Sequence, residues 1–214
     1  MTTNEKCERL HTLFNSMKRR YFTPDDIRSL GFTDGVYIVF EEGEKAHGAD
    51  RIVRVGSHRK AGNLQKRLNQ HRRDAGGSVF RRKVGCALLH KANPRDPDIV
   101  HWFQKDYHSF APDALARVRS QVTGHITGKM SFVAFEVKDG SQLAWESRLI
   151  ATIAKCDQCR QSAQWLGNSI PTNLGDLRKV KGSGLWLQNG VGDMPLTDAE
   201  LAQLERMVKS GRGG

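Results

Sequence analysis

GVYIVF at 35–40 and RIVRVGS at 51–57 are the two stretches whose reading decides the fold. Both are rich in β-branched and aromatic residues, so each reads as a strand. The residues between them, EEGEKAHGAD, are polar and glycine-bearing, which makes an antiparallel hairpin the simplest connection. Alternation along the first strand turns Val36, Ile38 and Phe40 to one face and Tyr37 and Val39 to the other.

Upstream, residues 2–20 read as a helix. Thr2 and Glu5 fit a capping box, and Leu10, Leu13, Phe14 and Met17 share a face. Thr23-Pro24-Asp25-Asp26 opens a short second helix that ends by Gly31. Downstream, AGNLQKRLNQHRR (61–73) is a basic helix stopped near Gly76 and Gly77. SVFRRKVGCALLH (78–90) favours helix over strand by its apolar positions. Helices follow at 98–109 and 112–123, then a third strand, SFVAFEV (131–137), and a helix at 141–155. Gly, Pro and Asn break the chain from 167 to 193, and a last helix (197–209) precedes a loose SGRGG tail. The fold expected is of the α/β (α+β) class, with a small three-stranded antiparallel sheet at its centre flanked by helices. The chain reads as one domain, 1–214, with a core at about 32–175 and a helical insertion at about 76–130.

Hydrophobic residues make up 38% of the 214 and charged residues 27%, which suits a globular chain and excludes a disordered one. No apolar run approaches the roughly 20 residues that span a bilayer. MTTNEKCERLHTLF has acidic and polar residues where a signal peptide needs an apolar block, so the reading is cytoplasmic, with no membrane partner. Lys and Arg number 34 against 23 Asp and Glu, a formal charge of +11. The excess clusters at 18–20, 51–73, 81–83 and 178–181, and a polyanion such as nucleic acid is the partner this implies. Cys156 and Cys159 form a lone CxxC with no second pair, which reads as two ordinary thiols ahead of a zinc or redox pair.

LAWESRLIATI at 143–153 carries a carboxylate in an apolar stripe. Leu143, Leu149, Ile150 and Ile153 recur at helical spacing, and Glu146 lies among them. A carboxylate facing an interior is costly unless something compensates it. A hard divalent cation is one answer, and one protein carboxylate plus waters and substrate phosphate suits Mg²⁺ or Mn²⁺. A partner Arg or Lys, or a helix rotated so that Glu146 reaches solvent, are the others.

In order, these segments resemble the GIY-YIG nucleases. GVY at 35–37 resembles the first half of the family signature, and Arg54-Val55-Gly56 stands where Tyr-Ile-Gly belongs. NLQKRLNQH (63–71) is similar to the family's following helix, with its Arg and a His or Tyr four residues on. SVFRRKVGCALL, AQWLGN and SGLW look like stretches of a bacterial branch, so the resemblance covers about 35 to 190. It implies phosphodiester hydrolysis with one divalent metal ion per site, held by Glu146. Tyr37 is then expected to orient or deprotonate the attacking water. Arg54 departs from the family's tyrosine: it only donates hydrogen bonds, so it holds the scissile phosphate or supports the Tyr37 hydroxyl electrostatically. Arg67 and His71, four residues apart, share a helix face. An Arg fork suits phosphate oxygens, and a His can move a proton or bind phosphate. Asn168, in WLGN, carries over as a supporting residue, with Asn173 and Asn189 as rivals.

His58, Lys66, Arg72, Arg73, Arg81, Arg82 and Lys83 are the expected nucleic-acid contacts, with His58 competing against His71 for the acid–base role. The function implied is a metal-dependent endonuclease on DNA backbone phosphates, of restriction or phage-defence type because no separate DNA-reading region is evident. A binding protein that kept the scaffold without the activity is the second reading. The stretch from about 75 to 130 is long for a minimal core and offers either sequence recognition or a homodimer contact.

Overall fold

The structure is a computed structural model and describes residues 1–73, 77–187 and 189–210. The expected helix stop at Gly76 and residues 211–214 of the tail lie outside the described residues. Along the chain run α1 (Thr3–Asn15), β1 (Arg20–Tyr21), α2 (Pro24–Arg28), β2 (Gly35–Ala46), β3 (Ala49–Gly56) and α3 (Leu64–Arg72). Then come α4 (Val79–Ala92), α5 (Asp98–Gln104), α6 (Pro112–Lys129), β4 (Met130–Glu136), α7 (Gln142–Ala154), α8 (Arg178–Ser183) and α9 (Asp198–Ser210).

The sheet is antiparallel with order β1-β4-β2-β3, four strands rather than the three expected. The extra strand explains a second difference. The first helix stops at Asn15, not at residue 20, because Arg20 and Tyr21 leave it to pair with Phe132 and Ser131 on the sheet edge. Arg19, read as part of a basic cluster, lies over the Phe40 ring at 3.5 Å and pairs with Asp50. The expected hairpin loop is shorter than its sequence suggests. β2 runs on through a bulge to Ala46, and the chain reverses at His47 and Gly48, both at positive φ, the backbone of a tight two-residue hairpin turn.

Alternation sorts the sheet into two apolar layers. Tyr37, Val39, Val53, Phe132 and Ala134 join the side chains of α2 to α6 on one face. Val36, Ile38, Phe40, Ile52, Val55, Val133 and Phe135 join those of α1, α7 and α9 on the other. A strand buried on both faces reads as a continuous apolar run, which is why GVYIVF has no polar residue. β3 would be a bare edge, but the segment 184–187 covers it. Trp186 N–H donates to the Val53 carbonyl at 2.8 Å, and Arg54 and Arg51 donate to the Trp186 and Gly184 carbonyls at 2.7 and 2.6 Å. Covering an edge satisfies its free ladder groups and blocks pairing with other chains. The same segment is tied inward by Glu41, whose Oε2 accepts from the indole N–H of both Trp165 and Trp186 at 2.9 Å.

Candidate active site

A cleft of about 740 Å³ opens at the end of β3, between α3 and α7. Its wall carries six basic side chains, Arg54, Arg59, Lys60, Lys66, Arg67 and Lys83, against two acidic ones, Glu146 and Asp193. This imbalance makes the cleft a site for an anionic group.

Glu146 is half-buried in that wall. Of the explanations open from the sequence, a partner cation is removed: among the described residues Glu146 pairs with no Arg or Lys. Its Oε2 accepts a hydrogen bond from the Ser57 hydroxyl. The apolar stripe holds at Leu149, Ile150 and Ile153, which are buried, but Leu143 is exposed at the cleft. The stripe is thus cut by the cleft one turn before Glu146. Oxygen ligands are at hand in the cleft: Ser57 beside the carboxylate, and Asn189 and Asp193, the latter accepting from the Ser147 hydroxyl, elsewhere in the lining. That set fits a hard cation such as Mg²⁺ or Mn²⁺ and not a soft one.

Tyr37 sits behind the cleft. It is fully buried and does not line the opening; Arg54, with Nε and Nη2 each 3.4 Å from its hydroxyl, does. The ring lies against the backbone of its cross-strand partner Gly56, where a Cβ would come within 2.2 Å of the hydroxyl. This is the physical reason for glycine at the end of Arg54-Val55-Gly56: any side chain would displace the tyrosine. On the other side of the hydroxyl stands His71 Nε2 at 2.7 Å, and His71 Nδ1 is 2.8 Å from Ser78 Oγ. Burial, with Arg54, Arg67 and Arg81 adding to it, holds the His71 imidazolium well below its usual pKa. The ring is therefore neutral. Ser78 Oγ also accepts from the Arg81 N–H, so the ring is tied at both nitrogens, to Ser78 and to Tyr37. His71 does not reach the cleft, which corrects the expectation that it touches substrate. It orients Tyr37.

His58 lies on the cleft wall, but both ring nitrogens are committed. Nδ1 donates to the Lys60 carbonyl at 2.7 Å, and Nε2 accepts from the Gly35 N–H at 3.2 Å. It fixes the loop after β3 to the start of β2, and so is corrected from a nucleic-acid contact to a structural one. Arg67 is half-buried on the wall, held by Gln70 at 3.2 Å, and Lys66 is exposed beside it. Arg72 and Arg73, at the far end of α3, lie outside the cleft lining.

The run at 81–83 divides three ways. Arg81 is buried and donates to the carbonyls of His71, Arg72 and Arg119 and to the Thr123 hydroxyl. It binds α3, α4 and α6 together and cannot also contact DNA. Arg82 is half-buried and stacks on Phe103. Lys83 alone reaches the cleft. Burial, with Arg54 and Arg82 adding to it, pulls its ammonium down to about 6, so it is an uncharged amine at neutral pH.

Asn168 is placed elsewhere. Its amide donates to the Ser162 and Ala163 carbonyls at 2.8 and 3.2 Å, holding the loop that presents Trp165. Of the three candidate asparagines, the rival Asn189 lines the cleft, exposed on the wall beside Gly190. The sequence reading also missed Arg59 and Lys60, which follow the Ser57-His58 pair directly and lie in the basic stretch 51–73.

A GIY-YIG domain model matches residues 1–213. The chain belongs to the GIY-YIG domain family. The match spans the N-terminal helix and the helices between residues 76 and 130 as well as the hairpin, and membership implies nuclease activity. No curated protein and no solved structure matches the chain. Among the described residues no helix is long and apolar enough to cross a membrane.

Proposed function

We propose that this GIY-YIG protein is a divalent-metal-dependent endonuclease that hydrolyses phosphodiester bonds in DNA. The observation that carries the proposal is one cleft with cationic side chains on the α3 wall and Glu146 on the α7 wall. Arg67 and Arg54 bind the scissile phosphate, where a guanidinium can meet charge that grows on the phosphoryl oxygens. Arg59, Lys60 and Lys66 hold neighbouring phosphates. The Tyr37 hydroxyl, hydrogen-bonded to His71 and receiving from Arg54, keeps its oxygen in one orientation behind Arg54, which fixes the guanidinium for the phosphate. Lys83 takes up a proton when a phosphate enters, because a nearby anion favours its charged form. Glu146, with Ser57 beside it and Asn189 and Asp193 in the same cleft, is the group that would hold Mg²⁺ or Mn²⁺. Bound there, the metal supplies positive charge to the phosphoryl group or the leaving oxygen.

The substitution of arginine for tyrosine at position 54 favours a second reading, a DNA-binding protein that has lost cleavage. Incubating supercoiled plasmid with the protein, with and without Mg²⁺, separates the two. The nuclease nicks or linearises the plasmid in Mg²⁺ and not in excess chelator. Retardation with no nicked product in either condition overturns the proposal. A role in restriction or phage defence is part of the same proposal. Its support is the basic cleft, which sits within one domain match that spans the chain. Ends of the cleaved DNA that share a short sequence would support it, and random ends would count against it.

A further inference from the structure

At the opposite end of α7 from the cleft wall, the protein gathers three thiols and two imidazoles that the proposed reaction does not use. Cys7 comes from α1, His47 from the β2–β3 turn, and Cys156 and Cys159 from the chain just after α7. The ligand atoms of Cys7, His11, His47 and Cys159 all lie within 4.8 Å of one another. The Cys7 thiol contacts both Cys156 and Cys159, and Cys156 Sγ is 3.5 Å from His47 Nε2.

We infer that Cys7, His47, Cys156 and Cys159 hold one zinc ion in a closed tetrahedral Cys₃His site. Zn–S bonds of about 2.3 Å and Zn–N bonds of about 2.0 Å set tetrahedral ligand atoms about 3.5–3.8 Å apart, which is the separation of Cys156 Sγ from His47 Nε2. The Cys156-x-x-Cys159 spacing is one used by structural zinc sites, and the Gln158 backbone N–H donates to the Cys156 sulfur, as an amide does to a thiolate. His47 sits in the two-residue turn at φ 50°, which carries its imidazole to the cysteines, with its ring 4.9 Å from that of His11. Three thiols cannot all pair as disulfides. Soft sulfur and imidazole donors select zinc over the hard cation that the oxygen donors at Glu146 fit.

His11 is the fifth candidate and belongs outside the metal shell. Its Nδ1 and Nε2 lie 3.7 and 3.6 Å from the Cys7 and Cys159 sulfurs, closer to the group than Cys156 is to all of its members, but both nitrogens are already engaged: Nδ1 donates to the Cys7 carbonyl at 2.9 Å, and Nε2 accepts from the Ile52 N–H at 3.2 Å, beside the β2–β3 bulge. It positions the segment carrying Cys7. With Cys7, Cys156 and Cys159 all buried, no position is open for substrate, so the ion clasps α1, the hairpin turn and the end of α7 together. Neither Cys7 nor His47 is near the CxxC in sequence, which is why the pair reads there as two ordinary thiols.

The test is the zinc content of the full chain, purified under reductant without chelator and dialysed against excess Mg²⁺. Wild type and Glu146→Ala are expected to carry one zinc per chain, and Cys156→Ser with Cys159→Ser none. His47→Asn keeps a residue that tolerates the turn and removes the imidazole. It is expected to lose zinc at a chelator concentration that leaves wild type loaded, which decides the matter if the double variant fails to fold. Cobalt(II) substituted into wild type is expected to show thiolate charge-transfer absorption that weakens in Cys7→Ser. Metal-free wild type with all its thiols titratable, a disulfide between any two of these cysteines, or zinc that persists unchanged in His47→Asn would overturn the inference.

Discussion

Replacing Lys83 with methionine should make the protein more stable at neutral pH and should remove a pH dependence that wild type shows. In the folded protein the Lys83 ammonium is pulled down to about 6 by burial and by Arg54 and Arg82. In the unfolded chain it returns to an ordinary lysine value, near ~10.4. Between these two values the unfolded chain holds one more proton than the folded protein. Stability therefore rises with pH across that window, by about 1.4 kcal/mol per unit, and this contribution is flat below and above it. From pH 7 to pH 9 the rise amounts to about 2.7 kcal/mol. Methionine has a similar unbranched shape and nothing to titrate, so Lys83→Met lacks the rise, whatever other groups contribute to both proteins. Urea unfolding of both at pH 7 and pH 9 measures the difference of differences. Equal pH dependence in wild type and variant would refute the argument that burial keeps this amine uncharged in the cleft.

Gly56→Ala places a Cβ 2.2 Å from the Tyr37 hydroxyl; the variant should lose about 1–3 kcal/mol of stability and most cleavage, by urea titration and plasmid assay. Tyr37→Phe leaves the buried His71 Nε2 without its hydrogen-bond partner, a cost of about 1–3 kcal/mol, with slower cleavage and near-normal DNA binding. Lys60→Ala and Lys66→Ala should each reduce the slope of log affinity against log salt by about 0.9. Arg81→Ala, measured by the same salt series of DNA-binding titrations, should leave that slope unchanged and lower the urea midpoint, because Arg81 binds carbonyls rather than phosphates.

The central hairpin was legible because period-2 alternation and helical spacing are local properties. Tyr37 and Val39 do face one layer and Val36, Ile38 and Phe40 the other, and Arg67 and Glu146 do reach a common cleft. What escaped depends on the path of the chain between elements. β1 is two residues long and exists through its pairing with β4, so no local pattern announces it. Arg81 and Lys83 look like a surface charge run, but α4 packs against α5 and α6 and turns them inward. Asn168 and Asn189 are both loop residues in breaker-rich sequence. Which of them faces the cleft depends on how their loops pack: Asn168 turns back onto the Ser162 and Ala163 carbonyls, and the segments before both are anchored by Trp165 and Trp186 on Glu41, a contact across more than a hundred residues. His71 was correctly placed on the Arg67 face, yet the burial that makes it a neutral partner of Tyr37 comes from Phe80 and Ser78 on the next helix.

In the proposed reaction Glu146 and the α3 arginine act on the same phosphate from opposite walls. Single-turnover cleavage of a labelled DNA duplex in Mg²⁺, with binding measured on the same samples, tests it most directly. Glu146→Ala and Arg67→Ala are each expected to lose cleavage while Glu146→Ala binds the duplex as tightly as wild type. Cleavage at the wild-type rate by Glu146→Ala, or by wild type in excess chelator, would contradict it.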